Sequence, residues 1–141
     1  MIELIIAIVY ATILITIMLI DFKRHIIPDL IVYPSMCLVI TCSLTWGYWM
    51  SSVAGGLIGL AFMIVLYLYS KGTMGLGDVK LGLLCGLMVG YLWVMPALLL
   101  GVIACWLIAV LLTKKGKGRL EALPLGTFLA LATLPFLGGR I

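Results

Sequence analysis

The sequence predicts an all-α membrane protein, a polytopic bundle of about six transmembrane helices, and three observations support this fold class. Hydrophobic residues make up 65% of the 141 residues and the mean hydropathy is +1.35, whereas only nine basic and five acidic residues occur. A soluble domain of this size leaves too much surface wet to hide so many apolar side chains. Polar segments divide the chain into apolar runs that approach the ~20 residues of a spanning helix. We therefore expect one transmembrane domain, residues 1–141, in a lipid bilayer.

Six apolar segments follow one another, and each predicts a helix. The first carries Glu3 where a cleaved signal peptide would carry basic residues, and no small-residue cleavage site follows it, so we expect it to stay as a spanning helix. The fourth and sixth segments are short for a bilayer, so tilt, local thinning or burial must accommodate them. The predicted helices cover residues 2–20, 30–46, 52–69, 79–92, 95–113 and 122–137.

The boundary between the fourth and fifth helices rests on Gly90, Tyr91, Trp93 and Pro96, which indicate a turn at the membrane interface. With this turn, eight of the nine basic residues fall on one side of the membrane and only Arg140 on the other. Five helices would scatter them. By the positive-inside rule the basic side is the cytoplasm and both termini face outward. The eight residues are Lys23, Arg24, Lys71, Lys80, Lys114, Lys115, Lys117 and Arg119.

The net charge of +4 is therefore explained by topology, and we expect no nucleic-acid partner. Four cysteines lie inside apolar segments, form no CxxC pair and accompany a single histidine. These features predict packing cysteines, no disulfide, no metal site and no cofactor. The cysteines are Cys37, Cys42, Cys85 and Cys105.

Glycines repeat every four residues on two of the predicted helices. Gly82, Gly86 and Gly90 follow this spacing on the fourth helix, and Gly55 and Gly59 do so on the third. Such faces let helix backbones approach closely. Extending the row on the fourth helix back by one turn reaches Asp78. We therefore expect Asp78 to face the interior of the bundle.

Two of the five acidic residues stand out as candidates for chemistry. Glu3 lies at the solvated end of the first helix, while Asp29 and Glu121 precede helices, where an acid complements the helix dipole. Asp21 lies where the first helix ends, so it opposes the dipole of that helix. Asp78 lies at the start of the fourth helix, where two explanations remain: it is a functional carboxyl or the N-cap of the helix.

Asp21 and Asp78 are both expected on the cytoplasmic side, at the same depth. Two neighbouring carboxyls cannot both ionise cheaply, and a carboxylate beside a carboxylic acid can activate water and protonate a leaving amine, as in aspartic proteases. Gly75 and Gly77 would let the chain before Asp78 bend and let a substrate backbone approach. For Lys80 we favour a topological anchor over an electrostatic partner.

Three segments resemble one family. GLGDVK, residues 75–80, matches the GxGDxK motif of type IV prepilin peptidases, which are aspartic membrane proteases of the GxGD class. DFKRHIIPDLIVYP, residues 21–34, resembles the segment with the family's first aspartate. LPLGTFLALA, residues 123–132, is similar to the family's PFGPFLALG stretch and departs from it at Leu125 and Thr127. The three segments occur in the family's order and cover nearly the whole chain.

The resemblance implies that Asp21 and Asp78 are the catalytic pair, with Gly75, Gly77 and Lys80 as the supporting motif. The family removes the short basic leader from prepilins and pseudopilins at the cytoplasmic face, without a cofactor. It thus implies a multi-pass protein of the inner (cytoplasmic) membrane that acts in pilus biogenesis or protein secretion. The sequence carries no signal for its oligomeric state.

Within the family the chain resembles the minimal form found in Tad/Flp-type pilus systems. Larger members carry an N-terminal extension with paired CxxC motifs, to which methylation is tied, so we expect no methyltransferase activity. Archaeal preflagellin peptidases are the other near relatives, and the segments GLGDVKLG and PLGTFLALA favour a bacterial protein.

Two functions from other classes remain as alternatives. A small proton-coupled transporter would use Asp21 and Asp78 as proton carriers, but it would place them nearer the middle of the membrane. In a non-enzymatic membrane assembly subunit, Asp78 would cap a helix and Asp21 would only mark a boundary. Release of a leader from a prepilin distinguishes the peptidase from both.

Overall fold

A computed structural model describes residues 1–24, 26–71, 74–115 and 125–138 of the protein, and in these ranges every regular element is an α-helix. The all-α prediction is confirmed, and each described helix coincides with a predicted one. The helices are α1 (Ile2–Arg24), α2 (Asp29–Thr45), α3 (Trp49–Tyr69), α4 (Leu76–Val89), α5 (Val94–Lys114) and α6 (Leu125–Leu137).

Four helix ends within the described residues differ from the prediction by three or more residues, and two of them bear on the candidate site. Helix α1 continues to Arg24, so Asp21 lies inside its last turn; Lys23 and Arg24 favour this extension because cations stabilise a helix C-terminus. Helix α4 begins at Leu76, so Asp78 lies inside its first turn. Each carboxyl is therefore carried by a helix and not by a connecting segment.

The predicted break between α4 and α5 is confirmed. Gly90 ends α4 with a φ of 86°, a conformation that glycine reaches far more readily than other residues, and its N–H donates to the Gly86 carbonyl at 2.9 Å. The Val94 N–H then donates to the Gly90 carbonyl as α5 begins. The two helices are consequently separate elements joined by a short turn.

Glycines bring α3 and α4 into the closest helix pair of the bundle. A Cβ atom on Gly59 would lie 2.5 Å from the carbonyl oxygen of Gly82, and one on Gly86 would collide with the Gly55 carbonyl. The two backbones are thus in direct contact, as predicted from the four-residue spacing. This contact fixes α4 against α3 and with it the height of Asp78.

Helix α4 occupies the centre of the bundle. It packs against α3, α6, α2 and α5, whereas α1 packs chiefly against α6. The buried core joins Leu14 and Ile17 of α1 to Leu84 and Met88 of α4, with Leu129 of α6 between the two helices. The site at the start of α4 is therefore assembled from helices that meet through α6.

Three helices, α1, α3 and α5, are long and apolar enough to cross a membrane, while α2 and α6 are shorter apolar helices. Large apolar side chains are exposed along the outer faces, for example Ile5, Leu57 and Trp106, as expected for contact with lipid. The crossing of the shorter helices and the orientation of the bundle stay predictions.

Some predictions concern residues outside the described ranges. These are the helix-start role of Glu121, the side of the membrane assigned to Lys117, Arg119 and Arg140, and the first three residues of the predicted sixth helix, 122–124.

Candidate active site

Asp21 is buried and held by the start of α6. Its side chain is 4% exposed, although it lies in the last turn of α1. The Thr127 N–H donates to Asp21 Oδ2 at 2.9 Å, and the Thr127 hydroxyl donates to the same oxygen at 3.2 Å. Thr127 belongs to the first turn of α6, whose N-terminus carries a partial positive charge. The positive end of α6 therefore compensates the unfavourable position of Asp21 on α1.

Gly126 makes this approach possible. A Cβ atom at position 126 would lie 2.9 Å from Asp21 Oδ2 and 3.1 Å from its Cγ, so any larger residue would displace the carboxyl group. The sequence alone predicts no role for Gly126 and marks Thr127 only as a departure from the family's stretch. The signal that was present is a Gly-Thr pair at the start of an apolar helix predicted to begin on the same side as Asp21.

Asp78 lies at the third position of α4, close to Asp21. The N-cap of α4 is Gly75, which makes no side-chain cap hydrogen bond, and the Asp78 N–H donates to the Gly75 carbonyl at 3.2 Å. The alternative in which Asp78 is the N-cap is therefore wrong. Its half-buried carboxyl group is near enough to Asp21 to interact with it electrostatically. The fold thus brings the two predicted site residues together.

The two carboxyls differ in their partners. Asp21 accepts two hydrogen bonds on one oxygen, whereas no donor among the described residues reaches the carboxyl of Asp78. Cys105 of α5 also lies within electrostatic range of Asp78, a proximity that the sequence did not indicate. Asp21 is consequently the more constrained member of the pair.

The two glycines of the predicted supporting motif, Gly75 and Gly77, differ in their neighbours. A Cβ atom on Gly77 would lie 3.2 Å from the Cβ of Ile27, and one on Gly126 would lie 3.1 Å from Ile27 Cδ1. The buried Ile27 therefore fills the space between the starts of α4 and α6, and Gly77 admits it. Gly75 has φ −74° and ψ 145°, which other residues also adopt, so its predicted part in substrate approach stays a prediction.

Lys80 joins α4 to α2. Its Nζ lies 2.9 Å from Asp29 Oδ1 and 5.1 Å from the centroid of the Tyr33 ring. Lys80 therefore has an electrostatic partner in Asp29, while its favoured interpretation as a topological anchor stays a prediction. Asp29, predicted to precede the second helix, is its first residue, and the pair links the first turn of α2 to the second turn of α4.

The prediction that no metal takes part was made from the sequence and stays a prediction. Within the described ranges, no group of three or more His, Cys, Asp and Glu residues could hold a metal ion. The four cysteines, all within those ranges, are free thiols. Of the groups described here, the carboxyl pair is the one that can accept and donate protons at a single point.

The match to a known family agrees with this geometry. The model of the type IV leader peptidase family matches residues 8–110, more than half of the chain, and the match includes both Asp21 and Asp78. Neither a curated protein nor a solved structure matches the chain. The family resemblance is thereby confirmed over the first two of the three segments, the third lying beyond the matched residues, and the chain belongs to the type IV leader peptidase family.

Proposed function

We propose that this protein is a membrane-embedded aspartic endopeptidase that removes the short N-terminal leader from prepilins or pseudopilins at the cytoplasmic face of the inner membrane. The observation that carries the proposal is the meeting of Asp21 and Asp78 at one end of the bundle, in a chain of a leader peptidase family. The two residues come from α1 and α4, and α6 completes their surroundings.

In the proposed reaction the pair hydrolyses one peptide bond without a covalent intermediate. One carboxylate accepts a proton from water as the water oxygen attacks the scissile carbonyl carbon. The other carboxyl, protonated, donates a hydrogen bond to the carbonyl oxygen and then passes a proton to the leaving amine. The Thr127 N–H and hydroxyl both donate to one oxygen of Asp21, and such hydrogen bonds stabilise the ionised carboxylate. Asp21 is therefore favoured as the carboxylate that activates water.

The cytoplasmic side is supported by charge. Asp21 precedes Lys23 and Arg24 at the end of α1, and Lys114 and Lys115 lie at the corresponding end of α5. Under the positive-inside rule these residues face the cytoplasm, which puts the carboxyl pair at the same face. A leader of a membrane-inserted prepilin would reach the pair there.

Neither alternative gains support from an observation on the site. A proton-coupled transporter would use acids near the middle of the membrane, whereas Asp21 and Asp78 lie in terminal turns of their helices. A purely structural subunit would need Asp78 as a helix cap, and Gly75 occupies that position.

The experiment is cleavage of a prepilin by the purified full-length protein in detergent or liposomes. We expect release of a leader at one bond, identified by mass spectrometry of both products. Absence of cleavage for both a prepilin and a pseudopilin, by protein that is folded and monodisperse, would contradict the proposed function.

A further inference from the structure

Thr127 makes three polar contacts with α1. Its N–H lies 2.9 Å from Asp21 Oδ2, and its hydroxyl lies 3.2 Å from the same oxygen and 3.4 Å from the Met18 carbonyl oxygen. Met18 precedes Asp21 by three residues, so Thr127 touches the last two turns of α1. These contacts join residues that are 106 and 109 positions apart in the chain.

The two hydrogen bonds depend on the residue type at position 127. In the stretch that LPLGTFLALA resembles, a proline stands where this chain has Thr127. Proline has neither an N–H nor a hydroxyl, so it could donate neither of the two hydrogen bonds. The family assignment by itself therefore does not predict a donor at this position.

We propose that Thr127 is a positioning residue that fixes the Asp21 carboxylate for the attack of water. This inference rests on the proposed peptidase function and adds the residue through which Asp21 is oriented. Two donors hold Oδ2, and Gly126 leaves the space that this close approach requires, because a Cβ atom there would lie 2.9 Å from Oδ2. Among the described residues no donor reaches Oδ1, which remains the oxygen that takes the proton from water.

The energetic reasoning concerns orientation. An aspartate side chain turns about two bonds, and an unheld carboxylate spends much of its time away from the productive geometry. A loss of alignment by about 1 Å can cost roughly a hundredfold in rate. Thr127 acts through Asp21 and does not touch the substrate, so its loss should lower kcat and leave KM nearly unchanged.

The test compares Thr127→Val, Thr127→Ala and Thr127→Ser with the parent in a cleavage assay of the full-length protein. Valine keeps the shape and the N–H but removes the hydroxyl donor, and we expect kcat to fall about tenfold to a hundredfold with KM within about twofold. Alanine should behave like valine. Serine restores a hydroxyl at the same place and should recover most of the lost kcat.

Thr133→Val is the matched control. Thr133 lies on the same helix, is fully buried, and its hydroxyl donates to the Leu129 carbonyl at 2.6 Å within α6. Its replacement removes one threonine hydroxyl from α6 without touching Asp21. We expect a small change in thermal stability and a parental kcat.

Each outcome bears on the inference. Parental kcat in folded Thr127→Val and Thr127→Ala overturns it, as does a Thr127→Ser variant that is no better than valine. An equal loss of kcat in Thr133→Val assigns the effect to α6 as a whole and also overturns it. If one Thr127 variant does not fold, the others decide. A folded parent that releases no leader fails differently, because it overturns the proposed function and the inference with it.

Discussion

The two ends of α1 each carry an acidic residue, and the two acids are treated in opposite ways. Glu3 lies in the first turn, exposed, where it favours the helix dipole and lines a cavity of about 250 Å³ together with Tyr10 and Trp46. Asp21 lies in the last turn, buried, where the dipole of α1 disfavours it. One acid needs no partner from another helix, whereas the other depends on α6.

The difference shows that the end of the bundle that carries Asp21 and Asp78, here called the site end, is built around a carboxylate whose position on its own helix is unfavourable. Burial of a charge is costly unless donors satisfy it. At Asp21 both donors come from one residue, Thr127, at the positive end of a second helix. An acid at such a place, beside a second acid, supports the proposal that the two form a functional pair.

The largest expected effect is on cleavage activity, and it should distinguish the acids at the two ends of α1. Asp21→Asn and Asp78→Asn should each lower cleavage by roughly 10²–10⁴-fold, because an amide cannot exchange the required proton. Glu3→Gln, the same change of acid to amide at the other end of α1, should cleave as the parent does. The measurement is leader release at equal amounts of folded protein.

Folding should survive these changes, since the amide oxygen of Asn at position 21 can still accept from the Thr127 N–H. The free energy of unfolding should change by about 1 kcal/mol or less. Parental cleavage by either Asn variant would contradict the aspartic mechanism.

The two ends of the bundle should also differ in how accessible they are to a thiol reagent outside the cell. In a cysteine-free background, Tyr91→Cys lies in the turn between α4 and α5, and Lys115→Cys follows the far end of α5. An impermeant thiol reagent applied to intact cells should label position 91, and position 115 only after the membrane is opened. Labelling of position 115 from outside would show that the site end faces away from the cytoplasm.

A smaller effect is expected from crowding the site end. Gly126→Ala introduces a methyl group 2.9 Å from Asp21 Oδ2, so the carboxyl must move. We expect kcat to fall by about a hundredfold while the protein stays folded. Gly138→Ala, directly after the end of α6, is the control, because a Cβ there meets no atom of the described residues within 4 Å. Equal kcat values in the two variants would contradict the close approach of α6 to Asp21.

The smallest effect concerns the link between α4 and α2. Lys80→Met removes the contact with Asp29, and because exposed ion pairs contribute little, we expect cleavage to fall by roughly twofold. Asp29→Asn should have a similar effect, and the double variant should be no worse than either single one. Additive losses would mean that the two residues act independently.

Much of the fold follows from local pattern. The apolar segments predicted each described helix, and Gly90 with its aromatic neighbours predicted the break between α4 and α5, because both are properties of consecutive residues. The four-residue spacing of Gly82 and Gly86 predicted a close helix contact, although not that Gly55 and Gly59 would be the facing residues.

The sequence by itself determined that the protein is a helical membrane bundle. It also predicted that Asp21 and Asp78, alone among its acids, are candidates for chemistry. This was possible because hydropathy, the charge of a helix end and a short motif are all properties of residues that are neighbours in the chain. Only the tertiary structure decided that Gly75, and not Asp78, caps α4, and that Lys80 pairs with Asp29. It also gave Asp21 its donor in Thr127, since a hydrogen bond across 106 residues depends on how helices pack, and packing is not a property of any one segment.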